Sequence, residues 1–355
     1  MKEKKVENRF LYFLEGIACI SVVFIHCLFP SLIGIVICGL ARFAVPLFFL
    51  ISGYYLYQYD TKHCEMHKRI KEKILHISNL LVISVCLYLC WTIFRTFLSG
   101  GGKSVLFCIH EWIQPRQLLS MLILNNFNAV GGHLWFLAAL LYCYFISFLT
   151  NFELSNHVIY RSVPLLLVIH IIGRTVFGLL KIDNVQGIPI YIFFRNWLFT
   201  AWPCFVAGNW IRYKQDQLLL QFSKKKLIVL FMIGVLLTIA ETIVVYWMTG
   251  DDRELYLGTF LMVFSMFLYA LQIPEQVGVL CIENIGRKYL AFIYIVHLMV
   301  IEGVNILLYA TGVDNIKLLN CIKPIAVVGI TIIGAVLWLR KCRKVTNLSH
   351  ERYSR

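Results

Sequence analysis

The amino-acid sequence predicts an all-α, polytopic integral membrane protein of about ten transmembrane helices. Three observations carry that expectation. Of the 355 residues, 59% are hydrophobic and 15% are charged, whereas a soluble domain carries about 25% charged residues. The apolar residues recur in runs of roughly 20, the length at which a helix crosses the hydrocarbon core with its backbone hydrogen bonds satisfied internally. The basic residues, which give a formal charge of +14, gather in short clusters between those runs. Cytoplasmic loops facing anionic headgroups are built this way, so no nucleic-acid partner is expected.

The spans fall roughly at 10–29, 33–57, 75–97, 133–150, 162–181, 189–211, 226–248, 255–273, 289–310 and 321–339. The first two form a hairpin joined by little more than Pro30 and Ser31. The N-terminus resembles a secretory signal, but its apolar run contains Glu15 and ends without a small-x-small cleavage site, so an uncleaved first helix is expected. After the third span, residues 98–132 form the longest polar interval, with three glycines (Gly100 to Gly102), His110, Glu111, Trp112 and Pro115. This interval either caps a cavity or is a solvated connector with a short interfacial helix. His133 opens the fourth span. The fifth carries Arg174, the sixth Arg195 and the seventh Glu241. The ninth carries His297, Glu302 and Asn305.

Positive charge sets the orientation. One set of connections holds Lys68, Arg69, Lys71 and Lys73, then Arg212, Lys214 and Lys224 to Lys226, then Arg287 and Lys288, together with both chain ends. The opposite set holds Lys103, Arg116, Lys181, Arg253, Lys317 and Lys323. A bias of about four to one places both termini in the cytoplasm, and the acidic stretch around Asp251 and Glu254 outside. The 12 cysteines sit mostly inside the apolar runs with no CxxC spacing, so neither a disulfide framework nor a metal site is expected.

An ionisable side chain at membrane depth costs roughly 2.5–3.5 kcal/mol on insertion scales, so each needs a partner, a watery cavity or a task. Most of those here fall in the outer half, which implies a polar cavity opening outward above a basic inner rim. Glu15 and His26 are 11 residues apart. That is close to three helical turns, so they share one face at depths about 16 Å apart. Glu302 and Asn305 also share a face, at i and i+3. Blander readings stand beside these. His170 can simply bond a backbone carbonyl. Arg174 and Arg195 can be structural partners of Glu241. Trp112, Trp197, Trp202, Tyr246 and Trp247 suit interface anchors. His26 differs, because histidine is best placed to take and return a proton near neutral pH and no other strong base shares its depth. The chain has no Gly-x-Ser-x-Gly, P-loop or HExxH.

Leu14-Glu15-Gly16-Ile17-Ala18 with Val22-Val23-Phe24-Ile25-His26 resembles the first-helix motif of the membrane acyltransferase 3 family. Arg42-Phe43-Ala44-Val45-Pro46-Leu47-Phe48-Phe49 with Ser52-Gly53-Tyr54 resembles its second-helix motif, and His133-Leu134-Trp135-Phe136-Leu137 and Tyr294-Ile295-Val296-His297 resemble two later ones. The resemblance covers the whole chain. It implies a multi-pass cell-membrane enzyme that moves an acyl group, in the usual case acetyl, from cytoplasmic acyl-coenzyme A to a hydroxyl of a surface glycan or glycolipid. No bound cofactor is implied; acyl-CoA is the donor substrate, and membrane lipids surround the chain. His26 matches the family's catalytic histidine, and Arg42 the basic residue before its Phe-Phe-x-x-Ser-Gly motif. One position departs: Glu15 stands where the family often has arginine, and Arg9 is six residues away on another face.

The expected site is therefore His26 and Arg42 as catalytic groups. Glu15, His133, Trp135, Arg195, Glu241, His297, Glu302 and Asn305 are expected to bind substrate. Residues 1–345 are expected to form one transmembrane domain and 346–355 a cytoplasmic tail. The alternative reading is a transporter or flippase-like protein for a small solute or lipid-linked glycan, for which Glu15 is the best sequence argument, since a carboxylate at that depth can carry a proton.

Overall fold

A computed structural model describes residues 7–56, 63–98, 105–150, 157–276, 278–313 and 316–353. The first half of the chain forms α1 (Arg9–His26), α2 (Ser31–Ala41), α3 (Ala44–Leu56), α4 (His63–Leu98), α5 (Val105–Ile113), α6 (Pro115–Leu124), α7 (Trp135–Leu149) and α8 (His157–Leu179). A two-residue hairpin follows, β1 (Asn184–Val185) with β2 (Ile188–Pro189). Then come α9 (Ile190–Phe194), α10 (Trp202–Tyr213), α11 (Gln215–Gln221), α12 (Lys224–Thr249), α13 (Leu257–Gln272), α14 (Leu280–Asn284), α15 (Leu290–Ala310) and α16 (Lys317–Tyr353). The protein is an all-α polytopic membrane protein.

Among the described residues, eight helices are long and apolar enough to cross a membrane. They correspond to eight of the ten expected spans. The eighth expected span is α13, which has 16 residues. The sixth, 189–211, is broken into α9, a π-helical turn at Trp197–Ala201, and α10. Asn196 causes the break. Its side chain accepts from the backbone N–H of Leu198 and Phe199, so it starts a new helix where an apolar residue would have continued the old one. The interval 98–132 holds α5 and α6, and Gly100 to Gly102 lie outside the described residues.

Two local features follow directly from the sequence. Helix α4 runs for 36 residues, well beyond the 20 or so a bilayer needs. Its first turns are rich in Glu, Lys, Arg and Ile with no Gly or Pro, so nothing stops the helix from extending past the apolar segment with Lys68, Arg69, Lys71 and Lys73 exposed on it. The second span breaks at Arg42 and Phe43 between α2 and α3. Pro46 has no N–H to give to the carbonyl of the residue four earlier, so an unbroken helix is disfavoured at this point.

The chain forms two compact units. One comprises the residues up to Ala44 together with those from Ala270 onward; the other comprises Val45–Tyr269. In the discontinuous unit, α1 packs against α2, α14, α15, α16 and a π-helical turn at Ile285–Tyr289. Asn8 caps α1 by accepting from Leu11 N at 2.9 Å, and its amide donates to Ala270 O at 2.9 Å. The Arg9 guanidinium binds the buried Glu283 carboxylate through two bonds of 2.9 and 3.0 Å. In the central unit, α4 packs on α7, and α10 on α8. Gly208 lies against the backbone of Leu50 and Tyr54.

Candidate functional site

His26 and His297 come together. Their rings lie 5.3 Å apart between centroids, tilted by 45°. Both residues belong to the discontinuous unit, on α1 and α15. The pairing follows from how α1 meets the continuous span Leu280–Ala310. At one end Arg9 grips Glu283. In the middle, Gly16 touches the backbone of Ile282, and Gly286 touches the backbone of Tyr12 and Gly16 and the Cβ of Glu15. At the other end His26 meets His297. Contacts that advance together along both segments define a parallel pair. Glu15 to His26 and Gly286 to His297 are both 11-residue steps, so the two levels of contact stay in register. Glycine at 16 and 286 is what lets the backbones come this close, since any side chain there would strike the opposing backbone.

His297 is fully buried. Its Nδ1 lies 2.8 Å from Tyr294 O and 3.2 Å from Ile293 O. A carbonyl oxygen only accepts, so Nδ1 carries the proton, and in the neutral ring Nε2 is the lone-pair nitrogen. Two backbone acceptors therefore fix both the tautomer and the angle of the ring that lies against His26. Glu15 lies beside Gly286, and among the described residues its carboxylate has no hydrogen bond or ion pair. On α15, Glu302 and Asn305 continue outward from His297, and Asn305 Oδ1 accepts from Lys323 Nζ at 3.3 Å. Arg42 ends α2 within the same unit, where its own N–H bonds Cys38 O at 3.1 Å.

The other expected site residues belong to the central unit. His133 is buried in a 3-10 turn that leads into α7, its ring 5.1 Å from that of Tyr88. Two residues on, Trp135 lies under the Arg195 guanidinium at 5.5 Å, and Tyr191 faces the same guanidinium at 4.6 Å. These cation–π contacts help to hold the Arg195 charge at membrane depth. Phe136 packs on Phe48 and Phe49 at 6.0 and 4.5 Å, which joins the second-helix motif to the His133 motif. Glu241 accepts from Gly258 N at 2.8 Å and Leu257 N at 3.2 Å, holding the first turn of α13. Arg174 does not pair with Glu241. It binds Glu254 and Asp251 at 2.9 Å each, both carboxylates supplied by the loop after α12. His170 Nδ1 sits 3.3 Å from Phe199 O and 3.3 Å from Thr200 Oγ1, the structural role a lone membrane histidine commonly has.

Several groups were not singled out by sequence. Arg212 donates to Gln215 Oε1 at 2.7 Å and to Tyr54 Oη at 3.1 Å near the inner end of α10. Arg253 is buried beside Gly178, and burial lowers its pKa. Lys323 meets Asn305. Apart from Arg212 with Gln215, these contacts join residues well separated along the chain, and no local spacing announces such a pair. Cavities of about 410 Å³ (between α3, α8, α10 and α13) and about 450 Å³ (between α4, α6 and α7) also lie in the central unit. Both are lined by apolar groups such as Leu50, Trp210 and Phe264, or Leu81, Leu118 and Phe145, and neither holds any of the expected site residues.

A protein-family model described as an acyltransferase domain matches residues 8–339, essentially the whole chain. Comparison with curated proteins and with solved structures finds no match.

Proposed function

Because the chain belongs to this acyltransferase family, and is thus a membrane acyltransferase, we propose that it transfers an acyl group, acetyl in the first instance, from cytoplasmic acyl-CoA to a hydroxyl of an extracytoplasmic glycan or glycolipid. The observation that carries the reading is the contact of His26 with His297.

In this reading His26 takes the proton of the acceptor hydroxyl, and the oxygen attacks the thioester carbonyl. The tetrahedral intermediate collapses as the carbon–sulfur bond breaks, and the departing thiolate recovers the proton from His26. A positioned acid–base group of this kind contributes roughly 10²–10⁴-fold to a rate. His297, its ring locked by two carbonyls, holds the His26 imidazole in one orientation. Arg42 stabilises the developing oxyanion; one such donor is worth about 10²–10³-fold in a water-poor site. Coenzyme A is polyanionic, and the exposed basic turns of α4 supply a field that attracts it.

The test is transfer of radiolabel from acetyl-CoA into extractable surface glycan, in membrane vesicles at matched expression. Wild type labels the glycan. His26→Ala loses about 10²-fold or more of the rate, and His297→Phe loses a comparable part while keeping the wild-type elution profile in detergent. Glu15→Arg raises the rate if Glu15 only weakens the hold on the donor. Undiminished labelling by His26→Ala removes His26 as the base. No labelling by wild type with acetyl- or longer acyl-CoA donors favours transport, where an unpartnered Glu15 would be the proton carrier.

A further inference from the structure

Lys323 is a cation that the mechanism above leaves unused. It lies six residues past the start of α16 at Lys317, about 9 Å inside that end. Its side chain is half-buried, and its ammonium makes one hydrogen bond, to Asn305 Oδ1 at 3.3 Å. An ammonium has three donors, and among the described residues no carboxylate pairs with this one. That bond is exposed, and its acceptor Asn305 belongs to the neighbouring helix α15.

Its position relative to the histidine pair is also defined. Helices α1, α15 and α16 pack on one another within one unit, which holds both the His26–His297 pair and the Lys323–Asn305 pair. Asn305 is eight residues beyond His297, about 12 Å farther out along the helix. Because Asn305 Oδ1 accepts from Lys323, the amide Nδ2 remains a donor. An ammonium and an amide N–H₂ side by side are the donor set that an oxyanion takes.

From this arrangement we infer that the acceptor is anionic, and that Lys323 and Asn305 bind its carboxylate or phosphate about 12 Å outward of the hydroxyl being acylated. The inference rests on the acyltransferase reading and names the acceptor class for it.

The experiment uses the full-length protein in lipid nanodiscs with three probes: an oligosaccharide containing one uronate, the same oligosaccharide with its carboxyl reduced to the alcohol, and its phosphorylated counterpart. Binding and acyl transfer are measured separately. The uronate or the phosphate glycan binds about tenfold more tightly than the reduced one and shows the same ratio in KM, the worth of one charged hydrogen bond. The tighter of the two identifies the oxyanion. Lys323→Gln abolishes the difference by weakening the charged glycan without a matching fall in kcat, and Lys323→Arg restores it. Equal binding of charged and reduced glycans by wild type overturns the inference, as does a Lys323→Gln protein that keeps the preference. Lys323-dependent binding of the charged glycan with no transfer from any acyl-CoA overturns the transferase reading alone. Transfer without charge preference overturns this inference alone.

Discussion

At the scale of single residues, Arg174 shows how this chain keeps charge inside a membrane helix. Its side chain is 4% exposed, and its partners differ sharply: Glu254 is 9% exposed and Asp251 is 59% exposed. Removing one member of a buried pair costs about 3–5 kcal/mol because the other is left unsolvated, whereas an exposed partner contributes about 0–1 kcal/mol. Arg174→Met is therefore expected to lower the unfolding temperature in detergent markedly. Asp251→Asn lowers it little, and Arg174→Met combined with Glu254→Gln recovers part of the loss. An Arg174→Met protein that unfolds with wild type removes the pair from the structural account. The sequence showed that Arg174 needed a partner. It pointed to Glu241, whereas the partners are Glu254 and Asp251, on the loop after α12.

At the scale of elements, the parallel packing of α1 with Leu280–Ala310 positions the histidine pair. Its geometry depends on Gly16 and Gly286, where the two backbones touch. Overpacking such a contact costs about 1–3 kcal/mol for small increments and more for large ones. Gly286→Ala is expected to destabilise by about that amount, and Gly286→Leu is expected to separate the helices and abolish transfer with them. Gly329 on α16 is the control, since nothing lies within 4 Å of a Cβ added there. Gly329→Ala stabilises by about 0.5–1 kcal/mol through lost backbone freedom in the unfolded chain. Thermal unfolding of the three variants separates close packing from a general dislike of substitution; equal behaviour at 286 and 329 contradicts the packing argument. The shared face of Glu15 and His26 was legible, because it needs only the helical period. That the facing segment repeats the same step from Gly286 to His297 was not, because the resemblance motifs mark residues and not helix partners.

At the scale of the whole molecule, the distribution of basic residues gives a topology that can be checked. Gln186, exposed in the β1–β2 hairpin, belongs to the external side, and Lys225, exposed at the start of α12, to the cytoplasmic side. With Cys64, Cys86, Cys90, Cys108, Cys281, Cys321 and Cys342 replaced by serine, Gln186→Cys is expected to react with a membrane-impermeant maleimide in intact cells. Lys225→Cys is expected to react only after permeabilisation. The reverse pattern inverts the membrane orientation, and with it the side from which donor and acceptor enter.

By itself the sequence determined the all-α membrane class, the family, the residues that carry charge at membrane depth and the face that Glu15 shares with His26. These follow from local rules: a span must be apolar, about 20 residues long and satisfied by its own backbone hydrogen bonds, whatever its neighbours are. Tertiary structure alone decided that His26 meets His297, that Arg195 rests on Trp135 and Tyr191, that Glu241 holds the start of α13, and that Lys323 joins Asn305. Side-chain partners across helices are set by how those helices pack. Packing between distant segments depends on close backbone approach and matching surfaces, neither of which has a period or spacing to be read along one chain.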